Sequence, residues 1–407
     1  MKKIWLVTVG EPSHIDNGLR LHRTGLLASS LSKKGFQITF FNSTFSHQEK
    51  RQRFKKSKII EYSENLNLGF MYGRPYKKNV SFNRVLSNQD NSLEFRKMIL
   101  TTSKPDLIIC AFPILGLIKE VARYADKNKI PWIIDIRDFW PDVFLEILPK
   151  YLIPLAKLFF LKFLNDLKSS LIKADAIISP FDGTKEWLNN QYKKIQFLEK
   201  YQTIPFTYPR PKKGANVNQN IRDIIDESSN CVITFAGNIS DFSNIEHLFA
   251  IEKCANKRDL NIQIIVCGSG PKFEYLLSKA KSIKSSIKFT GLLEKESLSY
   301  ILSKSDYGFL GYDAQHLVRG VPNKVIEYTC HSLPIVINKA MEISDNSKYD
   351  QILVPYSLED LDTLLIKINS KKYRNTKANI KEFYEKNFSD DVITKKYIGL
   401  IKNYLTL

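Results

Sequence analysis

The stretch CVITFAGNISDFSNIEHLFAIEKCANKRDLNIQIIVCGSGP, residues 231–271, decides the fold of the chain. It contains two short apolar runs, CVITFAGN and IQIIVCGSGP, which have the length and composition of buried strands. A longer stretch separates them, and a glycine follows each run. Strands that alternate with helices are typical of α/β domains with parallel sheets. The stretch therefore predicts a strand–helix–strand unit in an α/β domain.

The same alternation runs through both halves of the chain. Further apolar runs that predict strands are IWLVTVG (residues 4–10), QITFFN, KPDLIICAF, IPWIIDIRD, ADAIISP, IKFTGLL, YGFLGY and LPIVIN. A chain of 407 residues also exceeds what one hydrophobic core usually serves. Together these observations predict two Rossmann-like domains.

The boundary between the two domains is predicted at TIPFTYPRPKKGANVNQ, residues 203–219. This segment is rich in proline and basic residues and shows no periodicity, as is typical of a linker. The first domain is therefore assigned to residues 1–205 and the second to residues 206–388. A helix from about Ser389 to Leu405, within residues 389–407, closes the chain.

The composition excludes several classes of protein. The chain is 43% hydrophobic and 25% charged, values typical of a globular protein rather than a disordered one. Its five cysteines are scattered without the spacing of a metal site, which fits a reducing cytoplasm. The N-terminus lacks the long apolar region and cleavage site of a signal peptide. We therefore expect a cytoplasmic protein.

The charge of the chain predicts an anionic partner. The formal net charge is +19, and residues 1–60 contain twelve Lys/Arg against three Asp/Glu. The sequence has no zinc finger, RNP-like motif or basic zipper, so nucleic acid is not expected as a partner. An anionic membrane surface is the expected partner, and the alternative is a basic surface that contacts only solvent.

The most apolar helical segment is YLIPLAKLFFLKFLNDLKSSLIKAD, residues 151–175. Pro154, Lys157, Lys162 and Asp166 interrupt it, so it cannot span a bilayer. Two alternatives stay open: a buried core helix, or an interfacial helix in the plane of a membrane. With the basic N-terminal half, the second alternative predicts peripheral association with the inner face of the cytoplasmic membrane.

The loop GEPSHIDNG, residues 10–18, follows the first predicted strand, and ligands of α/β sheets bind at this end of the strands. Gly10 and Gly18 would let the backbone approach a sugar or a phosphate. The loop is not GxGxxG, and neither GxxxxGK[ST] nor HExxH occurs in the chain. These absences disfavour nicotinamide-dependent dehydrogenases, P-loop phosphotransferases and the simplest zinc hydrolases.

In the second half, VPNKVIEY (residues 321–328) predicts a helix that begins at Pro322, with Asn323 in its first turn. The N-terminus of this helix would face a diphosphate. Lys324 would neutralise the negative charge that develops on a departing nucleotide, and Glu327 would accept hydrogen bonds from a ribose diol. The alternative is an ordinary capped surface helix.

The order GSGP, FTGLL, PNKVIEY and LPIV resembles the donor-binding domain of family 4 glycosyltransferases, which have the GT-B fold. The resemblance implies that Gly268, Gly270 and Leu292 surround the nucleotide and that Glu327 holds the ribose. Gly237, in the FAGN turn, is a further donor-binding candidate.

The chain departs from this family at two positions. An arginine is expected soon after FAG, but Asn238 stands there, and we count Asn238 among the donor-binding candidates. The first glutamate of the E-x7-E pair is also missing, because the residue eight positions before Glu327 is Arg319. Arg319 is expected to contact a phosphate or a sugar hydroxyl instead.

Segments of the first half resemble transferases that add N-acetyl-L-fucosamine or related amino sugars in O-antigen and capsule assembly. These segments are GEPSHIDNGLRLHRTGLLASSLSKKG, FNSTFSHQEKRQRF, YGRPYKKNVSFNRVLSN and DIRDFWPDVF. In the last segment, Arg137 and Asp138 follow a predicted strand and are expected to face the cleft between the domains. Asp138 would orient an acceptor hydroxyl or brace Arg137, and the alternative is an ion pair between them that closes the strand end. Arg137, Asp138 and Lys324 are the catalytic candidates.

The resemblance implies a retaining transferase with a final helix that crosses back to the first domain. It would move an N-acetylated amino sugar or 6-deoxy amino sugar from UDP to an undecaprenyl-diphosphate-linked saccharide. No metal and no other cofactor is expected to be required, so helix dipoles and basic side chains must meet the diphosphate charge. Two alternatives stay open: a nucleotide-sugar epimerase or phosphorylase on a similar scaffold, and a non-catalytic membrane- or polymer-binding protein.

Overall fold

The computed structural model describes residues 1–78, 81–145, 148–192, 199–210, 217–226, 228–312, 321–341, 346–370 and 376–405. The chain forms two compact units, one of Met1–Pro205 with Ile393–Leu407 and one of Phe206–Val392. Each unit is built on a largely parallel sheet whose strands alternate with helices along the chain. The predicted α/β class with two Rossmann-like sheets is therefore confirmed.

The first unit contains strands β1 to β10 and helices α1 to α6. The strands are β1 (Lys3–Val7), β2 (Gln37–Ser43), β3 (Phe45–Ser46), β4 (Arg51–Gln52), β5 (Lys58–Ser63), β6 (Leu66–Met71), β7 (Leu107–Phe112), β8 (Trp132–Ile136), β9 (Ala176–Ser179) and β10 (Tyr201–Thr203). The helices are α1 (Arg23–Lys33), α2 (Phe82–Met98), α3 (Leu115–Asn128), α4 (Asp142–Leu145), α5 (Ile153–Lys173) and α6 (Thr184–Gln191), with a 3-10 turn at Lys150–Leu152.

The sheet of the first unit has the strand order β10-β9-β8-β7-β1-β2-β6-β5, counted over the described residues. Its strands pair in parallel, except that the edge strand β5 is antiparallel to β6. The short strands β3 and β4 form a separate antiparallel hairpin. Sequence reasoning missed this hairpin as well as β5 and β6.

Both faces of this sheet are buried, which explains why its central strands are continuous apolar runs. In β1, Trp5 and Val7 pack into the core on one face, and Ile4 and Leu6 pack into the core on the other. The closing helix α15 (Asp390–Lys402) contributes residues such as Tyr397 to the second of these cores. The chain thus returns to the first unit at its end.

The second unit contains strands β11 to β16 and helices α7 to α14. The strands are β11 (Cys231–Ala236), β12 (Ile262–Cys267), β13 (Lys288–Gly291), β14 (Tyr307–Leu310), β15 (Ile335–Asn338) and β16 (Leu353–Tyr356). The helices are α7 (Gln219–Arg222), α8 (Glu246–Asn256), α9 (Phe273–Ser282), α10 (Lys295–Lys304), α11 (Asn323–Cys330), α12 (Asn346–Tyr349), α13 (Leu361–Asn369) and α14 (Lys377–Asn387), with a 3-10 turn at Asp241–Ser243. In the described residues the sheet order is β13-β12-β11-β14-β15-β16, with all pairs parallel.

Helix α5 resolves the two alternatives for residues 151–175. Its buried residues are Leu167, Ser170 and Leu171, all in the C-terminal third. Earlier in the helix, Leu158 is 64% exposed and Phe159 is 80% exposed. Among the described residues, the core-helix alternative therefore holds only for the C-terminal third of α5, because the side chains of its earlier turns are exposed or only partly buried. Within the described part of the chain, no helix is long and apolar enough to cross a membrane.

Candidate functional site

In the second unit, the loops that follow β11 and β12 pack against each other through glycines. A Cβ added to Gly268 would lie 1.9 Å from the carbonyl oxygen of Gly237, and a Cβ on Gly270 would lie 2.3 Å from that of Ile239. Gly237, Gly268 and Gly270 all have positive φ values. The glycines of the FAGN and GSGP turns are therefore required for loop packing as well as for any approach of a ligand.

Helix α11 is held beside these loops by Tyr328. The Tyr328 hydroxyl accepts a hydrogen bond from the backbone N–H of Ala236 at 3.0 Å and donates one to the carbonyl of Phe309 at 3.0 Å. Its ring occupies the space that Gly308 leaves open, since a Cβ there would lie 2.4 Å from the ring. The tyrosine thus links the helix to both β11 and β14. The N-cap residue Pro322 makes no side-chain cap, and the N–H of Val325 donates to the Pro322 carbonyl at 2.9 Å, so the N–H groups of Asn323 and Lys324 are the ones suited to a ligand.

Lys324 extends from the first turn of α11 to the loop after β11. It is only 9% exposed, and a Cβ on Gly237 would lie 2.8 Å from its Nζ. The Nζ donates a hydrogen bond to the Tyr312 hydroxyl at 2.9 Å and lies 4.6 Å from the ring centre of Phe235. No carboxylate of the described residues forms an ion pair with it. A buried ammonium without a counter-ion, beside uncapped helix N–H groups, is suited to an anionic ligand.

The other second-unit candidates differ in their burial and in their neighbours. Glu327 is half-buried on α11, and its charge acts on the thiol of Cys267, which ends β12 beside Gly268. Asn323 is exposed in the first turn, and Leu292 is 79% exposed after β13. Asn238 lies beside Gly270, since its Oδ1 would be 2.7 Å from an added Cβ there. Arg319 lies outside the residues that the structure describes.

In the first unit, Arg137 belongs to a buried ion network. It pairs with Asp135 at 2.7 Å and with Glu11 at a shorter separation. Arg23 pairs with the same Asp135 at 2.9 Å and donates to the carbonyls of Ile204 and Pro205. Burial alone would raise the pKa of Asp135, but the two guanidinium groups outweigh it and hold the pKa below its usual range.

Glu11 gives this network its second carboxylate. It accepts hydrogen bonds from the N–H and the hydroxyl of Thr24, at 3.0 and 2.7 Å, at the start of α1. A carboxylate at a helix N-terminus is stabilised by the helix dipole. Glu11 directly follows Gly10, so it lies in the loop GEPSHIDNG that the sequence analysis had identified. Its partner Arg137, however, is 126 residues away in the sequence. Local patterns could not predict that pair.

Asp138 is not part of the network. Its side chain is exposed, and in the described structure it makes no hydrogen bond or ion pair with Arg137. Surrounding protein desolvates the carboxyl group and raises its pKa to about 6, although Arg137 and Arg84 oppose the shift. The alternative of an Arg137–Asp138 ion pair is therefore wrong: the partner of Arg137 on this strand is Asp135, two residues earlier. Asp138 is left accessible to a ligand.

The two glycines of the first loop differ in their surroundings. Gly10 has φ +83, and a Cβ there would lie 3.8 Å from the Cβ of His47. Gly18 has φ +75 and is exposed, with nothing within 4 Å of an added Cβ. Both belong to the first unit. His47, which follows the hairpin strand β3, was not among the sequence candidates.

Among the described residues, no group of three or more His, Cys, Asp or Glu is placed to hold a metal ion. In the second unit Lys324 donates a hydrogen bond to the Tyr312 hydroxyl, and in the first unit the charges of Lys50 and Arg84 act on His47, whose Cβ lies beside Gly10.

Residues 230–368 match the family model described as glycosyl transferases group 1. The matched segment runs from β11 to α13 and includes the glycine loops and Lys324. No curated protein matches the chain in sequence.

Solved structures resemble the chain over its whole length. Alr3699/HepE from Anabaena, in complex with UDP and glucose, is 11% identical with a TM-score of 0.62, and the match covers 99% of both chains. The catalytic domain of starch synthase IV from Arabidopsis thaliana, bound to ADP and acarbose, is 14% identical with a TM-score of 0.65, covering 100% of this chain and 99% of that one. WaaG, a glycosyltransferase involved in lipopolysaccharide biosynthesis, is 11% identical with a TM-score of 0.61, covering 97% and 98%. The fold is GT-B, as predicted, and the family match indicates a glycosyltransferase domain in residues 230–368.

Proposed function

We propose that this protein is a retaining glycosyltransferase that moves an N-acetylated amino sugar or 6-deoxy amino sugar from UDP to a lipid-linked saccharide. The acceptor carrier would be undecaprenyl diphosphate, in the assembly of O-antigen or capsule. The observation that carries the proposal is the buried ammonium of Lys324, whose partner is a tyrosine hydroxyl and which forms no ion pair with a carboxylate of the described residues. HepE, which has the same fold, was solved with UDP and glucose, and WaaG is involved in lipopolysaccharide biosynthesis.

The donor would bind to the second unit with its diphosphate at the N-terminus of α11. The backbone N–H groups of Asn323 and Lys324 would donate to the phosphate oxygens, and the side chain of Lys324 would supply a full positive charge. Negative charge grows on the nucleotide as the glycosidic bond to UDP breaks. A cation that already lies in place stabilises that charge without reorganisation, so no metal ion is needed in this scheme. Glu327 would accept hydrogen bonds from the ribose hydroxyls.

Helix α5 would bring the protein to the membrane where a lipid-linked acceptor lies. Tyr151, Leu155, Leu158 and Phe159 follow the spacing of one helix face, and each is at least 64% exposed. Five lysines and one aspartate occupy residues 150–173, so the helix carries a net positive charge. An exposed apolar face with flanking lysines fits the interface of an anionic bilayer. The protein would act at the inner face of the cytoplasmic membrane.

A transfer assay tests the proposal. The purified protein is incubated with a panel of nucleotide sugars and undecaprenyl-diphosphate-linked saccharides, and nucleotide release and product mass are measured. We expect one UDP-linked amino sugar to give a saccharide one residue longer, without added metal and in the presence of a chelator. Donor consumption without any acceptor would instead indicate an epimerase, and no reaction across the panel would contradict the proposal.

Sedimentation with vesicles tests the membrane part separately. The variant L158E/F159E should lose binding to vesicles of anionic lipid, because it places two charges on the apolar face of α5. L100E is the matched control, since Leu100 is 80% exposed on the first unit but lies at the end of α2. If L158E/F159E still binds vesicles but changes the protein from dimer to monomer, the face binds a second copy and the membrane proposal is wrong.

A further inference from the structure

Two opposite charges on α11 have the spacing of an ion pair but do not form one. Lys324 and Glu327 are three positions apart on this helix. Residues at this spacing are neighbours on a helix surface, and opposite charges there attract each other. Among the residues that the structure describes, however, neither the Lys324 ammonium nor the Glu327 carboxylate forms an ion pair. Another contact therefore holds the ammonium away from the carboxylate.

Tyr312 and Phe235 make that contact. Tyr312 follows β14, and its hydroxyl accepts a hydrogen bond from the Lys324 Nζ at 2.9 Å. The Nζ also lies 5.1 Å from the centre of the Tyr312 ring and 4.6 Å from the centre of the Phe235 ring, which belongs to β11. Both distances lie within the range of cation–π attraction. Because β11 and β14 are neighbours in the sheet, the ends of two adjacent strands hold the ammonium between them.

The aromatic contacts outweigh the ion pair because the ammonium is buried. Cation–π attraction is strongest for a desolvated cation, and Lys324 is only 9% exposed. An ion pair between neighbouring positions of a helix surface is weak by comparison, since water screens it. Tyr312 uses one of the three N–H donors of the ammonium. Two N–H donors therefore remain for the oxygens of a ligand.

The position of the ammonium is also fixed by the loop after β11. A Cβ added to Gly237 would lie 2.6 Å from the Lys324 Cε and 2.8 Å from its Nζ, so the end of the lysine side chain occupies the space that this glycine leaves open. A rotation of Lys324 towards Glu327 would empty this space and break the hydrogen bond to Tyr312. The hydroxyl of Tyr312 therefore keeps the ammonium at the glycine loop.

We infer that Tyr312 is a positioning residue for the donor diphosphate, because its hydroxyl holds the Lys324 ammonium at the glycine loop and away from Glu327. The two charges of α11 then stay available to different parts of the donor, the ammonium to the diphosphate and the carboxylate to the ribose. An ion pair between them would neutralise the cation that the diphosphate needs. The assignment to the diphosphate rests on the proposed function, and the contact between Tyr312 and Lys324 does not.

Calorimetry with UDP and with uridine on the full-length protein tests the inference. The Kd for uridine divided by the Kd for UDP, here called the diphosphate ratio, measures what the diphosphate contributes to binding. Tyr312→Phe keeps the ring but removes the hydroxyl, and we expect it to lower the ratio about fivefold. Tyr300→Phe is the matched control, because the ring of Tyr300 on α10 also contacts a lysine, with the Lys304 Nζ at 6.0 Å. It should leave the ratio unchanged.

A second substitution distinguishes positioning from a general structural role. Glu327→Gln removes the carboxylate that competes for the ammonium. The double variant Y312F/E327Q should therefore have a diphosphate ratio within about twofold of that of E327Q alone. If Tyr312 only stabilised the fold, its substitution would lower the ratio by the same factor with either residue at position 327. An unchanged ratio in Y312F, an equal loss in Y300F, or a loss that persists in Y312F/E327Q overturns the inference.

The same measurements separate this inference from the proposed function. If the diphosphate ratio falls in Y312F and in Lys324→Met, but no nucleotide sugar of the panel supports transfer, the proposed function is contradicted and the role of Tyr312 is retained. If transfer occurs and the ratio falls only in Lys324→Met, the proposed function is retained and the role of Tyr312 is wrong.

Discussion

Arg137 in the first unit is a largely buried basic side chain and Lys324 in the second is a buried one, but their partners differ. Arg137 pairs with Asp135 and Glu11, and Asp135 also pairs with Arg23. Lys324 donates to a tyrosine hydroxyl and lies over the rings of Phe235 and Tyr312, without a carboxylate among its described neighbours.

This difference in partners indicates that the charges of the Arg137 network stabilise the fold, whereas the charge of Lys324 is available to a ligand. A buried charge with a counter-ion loses much stability when that partner is removed, because the remaining charge is uncompensated. A buried charge without a counter-ion costs stability in the empty protein and is useful only when an anion binds. Removing the carboxylate of Asp135 should therefore lower stability, whereas removing the ammonium of Lys324 should not.

The largest effect is expected for Asp135→Asn. The substitution leaves Arg23 and Arg137 without their shared carboxylate and should lower the free energy of unfolding of the first unit by about 3–5 kcal/mol. Urea denaturation followed by tryptophan fluorescence measures the change, since Trp5 lies in the core of this unit. Asp126→Asn, an exposed position on α3, should change it by less than about 0.5 kcal/mol. Equal values for both variants would show that the network is not structural.

Lys324→Met should act in the opposite direction. Replacing the buried ammonium with an apolar side chain of similar length should leave the free energy of unfolding unchanged or higher. The same variant should reduce kcat/KM about 100-fold, because the leaving diphosphate loses its cation. Thermal unfolding and transfer kinetics on one protein preparation measure both. If Lys324→Met is both less stable and inactive, Lys324 stabilises the fold as Arg137 does, and its proposed role in binding the donor is contradicted.

A smaller effect is expected for Gly237→Ala, which tests whether the position of the Lys324 ammonium affects activity apart from any backbone strain. Gly237→Ala places a Cβ 2.6 Å from the Cε of Lys324 and must move the ammonium, so kcat/KM should fall about tenfold. Gly291→Ala is the control, because Gly291 also has positive φ (+71) but open space around it. Both variants should lose about 1 kcal/mol of stability from the left-handed backbone. Equal activity in the two variants would indicate that the position of Lys324 does not matter.

The sequence predicted most of the fold because the central strands carry strong local signals. Runs such as KPDLIICAF and IQIIVCGSGP are apolar, short and bounded by turn residues, and they lie in the sheets as predicted. Strand β5 was missed because it is an exposed edge strand of mixed composition, without the regular alternation of a half-buried strand.

The candidate site was predicted unevenly for a related reason. Lys324 could be found because it lies two residues after a proline at a helix start, in a recognisable motif. The Glu11–Arg137 pair and the His47–Tyr76 pair join residues that are 126 and 29 positions apart, and no local pattern encodes such contacts. Arg137 was identified from the sequence, but only the structure showed that its partners are Asp135 and Glu11 rather than Asp138.

Binding of UDP and of uridine to the wild type and to Lys324→Met tests the central claim most directly. The two ligands differ by the diphosphate, so calorimetry on all four combinations isolates the contribution of Lys324 to that group. We expect the substitution to weaken UDP binding about tenfold or more and to leave uridine binding unchanged. Equal losses for both ligands, or no loss of UDP binding, would contradict the assignment of the buried ammonium to the donor diphosphate.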